Sequence, residues 1–357
     1  MRALKYAAGL RAGGAGELKL GFAYQGMTLS EWYGVGDELF DGWYSLEGSA
    51  EAPLERVLEE FEPDVIHSHN LPDELTVLAN ELTDRPVIHD THDLQSLRAT
   101  PYEDGFPDPD GDLLGLERRA VEESAAVVAV SDEQLAEIDA RHVLPPRTLI
   151  FPNYALGRDL PAELPPAGRP ASQPPRIVYQ GTLSANEGHY DLRDLFRAIV
   201  AGGARLDVYP SRPVPGYEEL AAELDGLEVH ERLEPAALMR ALPSYDFGWA
   251  GFNDGLNGAH LDTALPNKAF EYVGCGVPVL TLGHRALARL VAEEGVGISL
   301  EALDELADQL AAVDLPALRT RVAKARPRLV VEARIGPLVD LYEELAGRPA
   351  GATLQSA

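Results

Sequence analysis

Residues 266–280 read PNKAFEYVGCGVPVL. The spacing predicts a helix over 268–273, with Pro266 and Asn267 just ahead of it and Asn267 as its cap. Gly274 and Gly276 end the helix, and Gly276-Val277-Pro278 turns into a strand over 277–281. Cys275, between the two glycines, reads as a small buried apolar residue rather than a nucleophile. That strand is apolar without alternation, as strands are when both faces of a parallel sheet are covered.

The same alternation extends outward in both directions. Upstream come strands at 176–179 (RIVY), 206–209 (LDVY), 227–230 (LEVH) and 247–250, separated by helices at 192–201, 217–224 and 235–242. Downstream, helices run through 284–294, 302–312 and 316–346, the last interrupted at Pro327. A first half repeats the theme, with strands at 18–23, 64–67 (DVIH), 86–89 (PVIH), 125–130 (AAVVAV) and 148–151. Its helices are expected at 53–61, 72–82 and 113–124, and a further one follows Ser131, whose capping box is completed by Gln134. Between Gly157 and Pro175 stand Pro161, Pro165, Pro166, Pro170, Pro174 and Pro175 with no apolar period, a composition that reads as a linker. The expected organisation is a first α/β domain over 1–157, a linker over 158–175, a second α/β domain over 176–327, a C-terminal helix over 328–346 and a disordered tail over 347–357. Residues 2–11 read as helical ahead of any strand. Gly14-Ala15-Gly16 precedes a strand rather than a helix, so it reads as a turn and not as a dinucleotide fingerprint; either this fold starts differently or its first strand and loop are missing.

Composition narrows the function classes. The chain has 357 residues, a length that suits two domains, and its acids outnumber its bases 58 to 30, a net charge of −28. Nucleic acid is excluded as a partner, because phosphate neutralisation needs clustered cations. No apolar run reaches the ~20 residues of a membrane span, and the N-terminus lacks a secretory core, so a cytoplasmic location is expected. The single Cys excludes an internal disulfide framework and a Cys-rich zinc site. Only Lys5, Lys19, Lys268 and Lys324 are lysines; the other bases are Arg. Such an acidic, Lys-poor chain reads as halophilic, high salt screening its self-repulsion, with GC bias the plainer alternative.

The chemistry gathers at strand ends. A helix N-terminus presents free N–H groups and a partial positive charge, which suits a diphosphate. Lys268 adds a full cation at that end, where the helix dipole disfavours one, and so points to a neighbouring anion; a solvated first-turn lysine is the plain alternative. Glu271 shares a face with Lys268, either as a ligand for hydroxyls or as its ion-pair partner. Gly181 follows a strand and lets a ligand approach the backbone. In the first half, His67 and His69 end one strand, and His89, Asp90, His92 and Asp93 end the next. These could form a metal hydrolase site, but a metal would leave 266–280 unexplained, and none is expected. Arg319, Arg321, Lys324, Arg326, Arg328 and Arg334 form a local basic cluster. It reads as a solvated interdomain helix face in preference to a surface for anionic lipid.

DVIHSHN (64–70), PVIHDTHDL (86–94), VVAVSDEQ (127–134), FPNYAL (151–156), RIVYQGTL (176–183) and PNKAFEYVGCGVPVL resemble, in order, the blocks of the GT-B glycosyltransferases, specifically the retaining family 4 group. The resemblance implies two Rossmann-like, doubly wound parallel-sheet domains facing a cleft, with a C-terminal helix crossing back to the first. It implies transfer of a sugar from a nucleotide diphosphate to a hydroxyl acceptor, glycan or lipid-linked, with retention. The nucleotide sugar is then a substrate, and no cofactor or metal is required. Peripheral contact with the inner membrane face would suit a lipid-linked acceptor.

Residue by residue, the resemblance assigns Glu271 to the donor ribose, Gly181, Thr182, Asn267 and Lys268 to the donor, and His92 to the reacting centre. It sets Asp93 beside His92 and places His69, Asn70 and Asp90 on the acceptor side. The family's acid eight residues before Glu271 is here Thr263, with Asp262 as the substitute. The family's Arg and Lys after the glycine are here Thr182 and Glu187. Arg212 is the preferred replacement, ahead of His189 and Arg193. These departures keep open a degenerate scaffold that binds without turnover, and a sugar-nucleotide epimerase.

Overall fold

The computed structural model describes residues 2–13, 18–26, 36–48, 50–70, 73–98, 112–186, 188–253, 255 and 257–347. The readings placed on Gly14-Ala15-Gly16, Pro72, Glu187 and the tail beyond Gly347 lie outside the described residues. The chain divides into two compact units. The first gathers the described parts of 1–96, 101–152 and 331–357, and the second those of 97–100 and 153–330.

In the first unit, β1 (Gly21–Tyr24) and β2 (Gly42–Ser45) form a parallel pair. A four-stranded parallel sheet follows, β3 (Ile66–His69), β4 (Val87–Thr91), β5 (Ala126–Ala129) and β6 (Arg147–Ile150), ordered as in the chain. β4 and β5 are buried along their whole length, which is why their sequences do not alternate. β1 begins three residues later than the strand expected from Leu18, and β2, short and aromatic, has no counterpart in the sequence reading. Ser131 caps the helix Asp132–Asp139 as expected, its Oγ accepting from Gln134 N at 3.0 Å. Gln134 Oε1 reaches back to Val130 N, one residue beyond the N-cap N–H of the usual box. The first helix, Arg2–Ala12, is buried over most of its length and presses Gly9 against Val331 and Ile335. A side chain at position 9 would meet Val331 at 2.6 Å. The helices Val331–Arg334 and Gly336–Leu345 therefore belong to this unit, and no helix among the described residues is long and apolar enough to cross a membrane.

The second unit holds six parallel strands: β7 (Arg176–Gly181), β8 (Arg205–Pro210), β9 (Leu227–Val229), β10 (Phe247–Trp249), β11 (Val279–Leu282) and β12 (Gly297–Leu300). Their spatial order is β12-β11-β10-β7-β8-β9. Alternate residues serve opposite faces: Ile177 and Tyr179 join one apolar cluster, and Val178 joins the other. The chain order reverses between β7 and β10, and the crevice beyond such a reversal is where open α/β sheets bind ligands.

The Pro-rich stretch expected as a linker is packed onto this unit. Leu160 and Leu164 lie against Gly274 and Gly276, Ser172 N donates to Asp246 Oδ2 at 3.0 Å, and Arg169 donates to the carbonyls of Ser244 and Tyr245. Prolines without an apolar period mark irregular chain, and irregular chain can still be held by its backbone and a few leucines. The basic cluster is likewise absorbed. Arg319 pairs with buried Asp246 at 2.6 Å, Arg321 donates to Gly295 O, Arg326 to Pro161 O, and Arg328 pairs with Glu294.

Candidate functional site

At the end of β7 the backbone passes through Gly181 at φ +125°, a conformation that side-chain-bearing residues rarely adopt. A Cβ there would be 3.5 Å from Lys268 Nζ, so the conformation and not crowding demands glycine. The helix carrying Lys268 runs Asn267–Gly274 and is capped by Pro266, with no side-chain cap bond. Asn267 is thus the first helical residue and not the cap: Pro266, with its fixed φ, already supplies the extended entry.

Tyr272 fixes the helix to the sheet. Its hydroxyl accepts from Gln180 N at 3.1 Å, lies 3.3 Å from the carbonyls of Val178 and Trp249, and its ring fills the space left by Gly248. One turn earlier, Lys268 is 8% exposed, its ammonium 4.1 Å from the centre of the Tyr179 ring and 5.3 Å from that of Phe252. Among the described residues Lys268 Nζ has no hydrogen-bond partner. Burial pushes its pKa down to about 7, against a smaller pull from Glu271. Glu271 does not form the ion pair considered above; its carboxylate accepts from Gln180 Nε2 at 2.6 Å. The geometry brings together a buried ammonium, two aromatic rings, a positive-φ glycine and a helix start.

The other donor-side candidates divide. Thr182 is half-buried, and its carbonyl accepts from Tyr179 Oη at 2.6 Å. Arg212 is exposed and follows Ser211, whose N–H donates to Gly181 O at 2.9 Å, so it stands at the same end of the sheet as Gly181. Arg193 is held by Asp191 through two bonds of 2.9 and 2.6 Å, and His189 is buried with Nδ1 3.1 Å from Asn257 Nδ2. Asp262 accepts from Arg285 N at 3.2 Å and Arg285 Nε at 3.1 Å, capping the helix Arg285–Glu294. Its carboxylate therefore has a structural employment that the sequence reading did not foresee. Thr263 Oγ1 donates to His260 O at 2.8 Å.

In the first unit, His67 and His69 sit on one face of β3, their rings stacked at 4.6 Å and 12°. Both face Asp90 Oδ2, at 3.1 and 3.3 Å. Asp90 is fully buried and bonded to Arg2 at 2.9 Å. Burial alone would raise its pKa, but the Arg2 guanidinium and the two imidazoles hold it well below the usual carboxylate range. Burial and the His67 ring push the His69 pKa down to about 4. Tyr6 packs on both rings, and Tyr342 Oη lies 2.6 Å from His67 Nδ1.

Asp90, placed on the acceptor side by the sequence reading, is thus the buried centre of an ion-pair cluster, and His69 lies largely within that cluster. The ligand atoms of His67, His69 and Asp90 lie within 4.8 Å of one another, a spacing a metal could use. The guanidinium of Arg2 already supplies the cation that this carboxylate needs. Nothing in the sequence pairs residue 2 with residue 90; Arg2, Tyr6 and Tyr342 went unread.

His92 stands on the turn after β4, its side chain about a third exposed at 33%. Its N–H donates to Asn70 Oδ1 at 3.0 Å, its Nε2 lies 3.9 Å from Asp93 Oδ2, and its Nδ1 has no hydrogen-bond partner among the described residues. Burial pulls its pKa down, favouring a neutral ring that can accept or donate. Asn70 is itself buried; Nδ2 donates to Thr91 Oγ1 at 2.9 Å and Asp93 O at 2.5 Å. Asn70 therefore shapes the 91–93 turn from within.

A family described as Glycosyl transferase 4-like domain matches residues 30–154, and one described as Glucosyltransferase 3-like, C-terminal domain matches residues 202–346. D-inositol 3-phosphate glycosyltransferase of Jonesia denitrificans is 25% identical over 263 residues, 66% of this chain and 59% of that protein. The match thus spans less than two thirds of this curated relative. Sucrose-phosphate synthase of Thermosynechococcus elongatus superimposes with a TM-score of 0.63 at 17% identity, over 84% of this chain and 78% of that one. Anabaena HepE in complex with UDP gives 0.63 at 15% identity, over 97% and 96%.

Proposed function

The chain belongs to the family-4-like glycosyltransferases of GT-B fold, and from that premise we propose that it moves a sugar from a nucleotide diphosphate to a hydroxyl acceptor, with retention. The observation that carries this reading is the buried Lys268 ammonium, which has no hydrogen-bond partner among the described residues and stands beside Gly181 at the start of the helix Asn267–Gly274. A buried cation over aromatic faces is costly unless a charge meets it, and a diphosphate bridge supplies that charge. In the free protein the lowered pKa reduces this cost; the bound diphosphate restores the proton.

Glu271 and Gln180, joined at 2.6 Å, offer acceptors and a donor for two adjacent ribose hydroxyls. The resemblance gives His92, whose Nδ1 has no hydrogen-bond partner among the described residues, to the reacting centre, with Asp93 Oδ2 3.9 Å from its Nε2. The leaving phosphate takes the acceptor's proton on the face it departs from, so the hydroxyl attacks from that side and the anomeric configuration is kept. HepE is described with UDP and with UDP and glucose, which makes UDP the first donor base to test.

Isothermal titration with UDP and a panel of nucleotide sugars tests the reading. Binding is expected, and Glu271→Ala is expected to weaken it by roughly 1–3 kcal/mol, the scale of hydrogen bonds to a charged group. Unchanged affinity in that variant removes the site. A scaffold that binds without turnover is the second reading, favoured by Asp262 being committed to Arg285 and Arg193 to Asp191. It predicts UDP binding with no release of UDP from any sugar donor in the presence of glycan or lipid-linked acceptors.

A further inference from the structure

FPNYAL (151–156) is a block that the chemistry above leaves without a role. It follows β6, and from Asn153 onward it belongs to the second unit. Asn153 Nδ2 donates to Leu265 O at 2.8 Å, across 112 positions of sequence. The ring of Tyr154 meets that of Phe270 edge-on, with 5.2 Å between centres. Ala155 is buried in the apolar cluster that also holds Leu265, Ala269 and Phe270, and it bridges to Val330. Three consecutive residues thus engage the helix Asn267–Gly274 or the turn that leads into it.

That turn is not held by its own cap. Pro266 caps the helix without a side-chain bond, and it has no N–H through which a neighbour could fix it. Leu265 is buried, and a buried carbonyl needs a donor. Asn153 supplies that donor one residue ahead of the cap. The bond also aims the carbonyl dipole. An oxygen turned toward the first N–H groups of the helix would oppose an anion there, whereas here its partial charge is met by an amide. Lys268 lies three residues beyond that carbonyl, so a shift of the turn would carry its ammonium off the Tyr179 ring and away from Gly181.

We propose that Asn153 is a positioning residue, which sets the amino end of this helix, and with it Lys268, for the diphosphate of the donor. It acts through the carbonyl of Leu265 and touches neither the donor nor the reacting atoms. The proposal rests on the donor reading given above, and its test separates the two.

Asn153→Leu keeps the volume of the side chain and removes the donor. In titration calorimetry it is expected to weaken UDP binding about tenfold, the scale of leaving one buried carbonyl unpaired. Uridine, which lacks the phosphates, is expected to bind unchanged when followed by ligand-observed NMR. A residue that only packs would not tell the two ligands apart, so UDP and uridine weakened alike, or UDP unaffected, overturns the proposal. Hydrogen exchange over 264–271 in the unliganded chain reads the brace itself. Exchange there is expected to be several-fold faster in Asn153→Leu than in the wild type, and equal exchange also overturns the proposal. If Asn153→Leu fails to fold, Asn153→Ala, which adds no bulk, is read by the same two measurements. Where the wild type binds no UDP while the exchange difference holds, the donor reading falls and the brace stands.

Discussion

Two buried charges, one in each unit, make an instructive pair. Lys268 is a cation with aromatic rings around it and no hydrogen-bond partner among the described residues. Asp90 is an anion with a guanidinium and two imidazoles crowded against it. Burial penalises both, and the surroundings respond differently. The Lys268 pKa falls to about 7, whereas that of Asp90 is held well below the usual carboxylate range. A buried charge met by opposite charges organises the fold, whereas one left without them is costly until a counter-charge arrives.

The contrast breaks most visibly at Asp90. Asp90→Ala strands Arg2 in the interior and is expected to cost about 3–5 kcal/mol of stability, read by urea unfolding. A loss near zero would show that the cluster is not the keystone described. Lys268→Met should behave the opposite way. The unliganded protein is expected to be at least as stable as the wild type, while UDP affinity falls by roughly 2–3 kcal/mol in titration calorimetry. Loss of stability without loss of affinity would make Lys268 a structural residue.

Proton linkage sharpens the same comparison. The pKa of Lys268 is lowered in the folded state, so between about 7 and its ordinary value the unfolded chain holds more protons. Its contribution to the stability of the free protein therefore rises with pH over that range. UDP, which needs the ammonium, should bind more weakly over the same range, by at most about tenfold per pH unit. Calorimetry in two buffers of different ionisation enthalpy should register proton uptake on binding; its absence would mean the lysine is already charged. The smallest effect is expected at His92. His92→Ala should lower turnover several-fold, less than the roughly hundredfold or more of a general acid or base because the leaving phosphate takes the proton, with less change in donor affinity. Equal activity would make the ring structural.

Much of the second unit was legible, because its strands are continuous apolar runs and 266–280 carries a helix, two glycines and a strand in fixed order. What could not be read depends on partners distant in sequence. Asp262 looked like a catalytic substitute until Arg285 was seen to take both its oxygens. Asp90 looked like an acceptor ligand because nothing in HDTHD announces a guanidinium from residue 2. Asn267 has a capping residue's chemistry but sits one position inside the helix. The Pro-rich stretch showed that lack of periodicity reports irregular backbone, not freedom from packing.

The hydrogen bond between His67 and Tyr342 joins residues 275 positions apart, with the described part of 153–330 assigned to the other unit. On the ribosome, the second lobe can therefore close before the first has received its last helix. The histidine pair waits, half-assembled, until nearly the whole polypeptide has emerged, so a nascent chain halted before Tyr342 would hold a finished second unit and an unfinished first one.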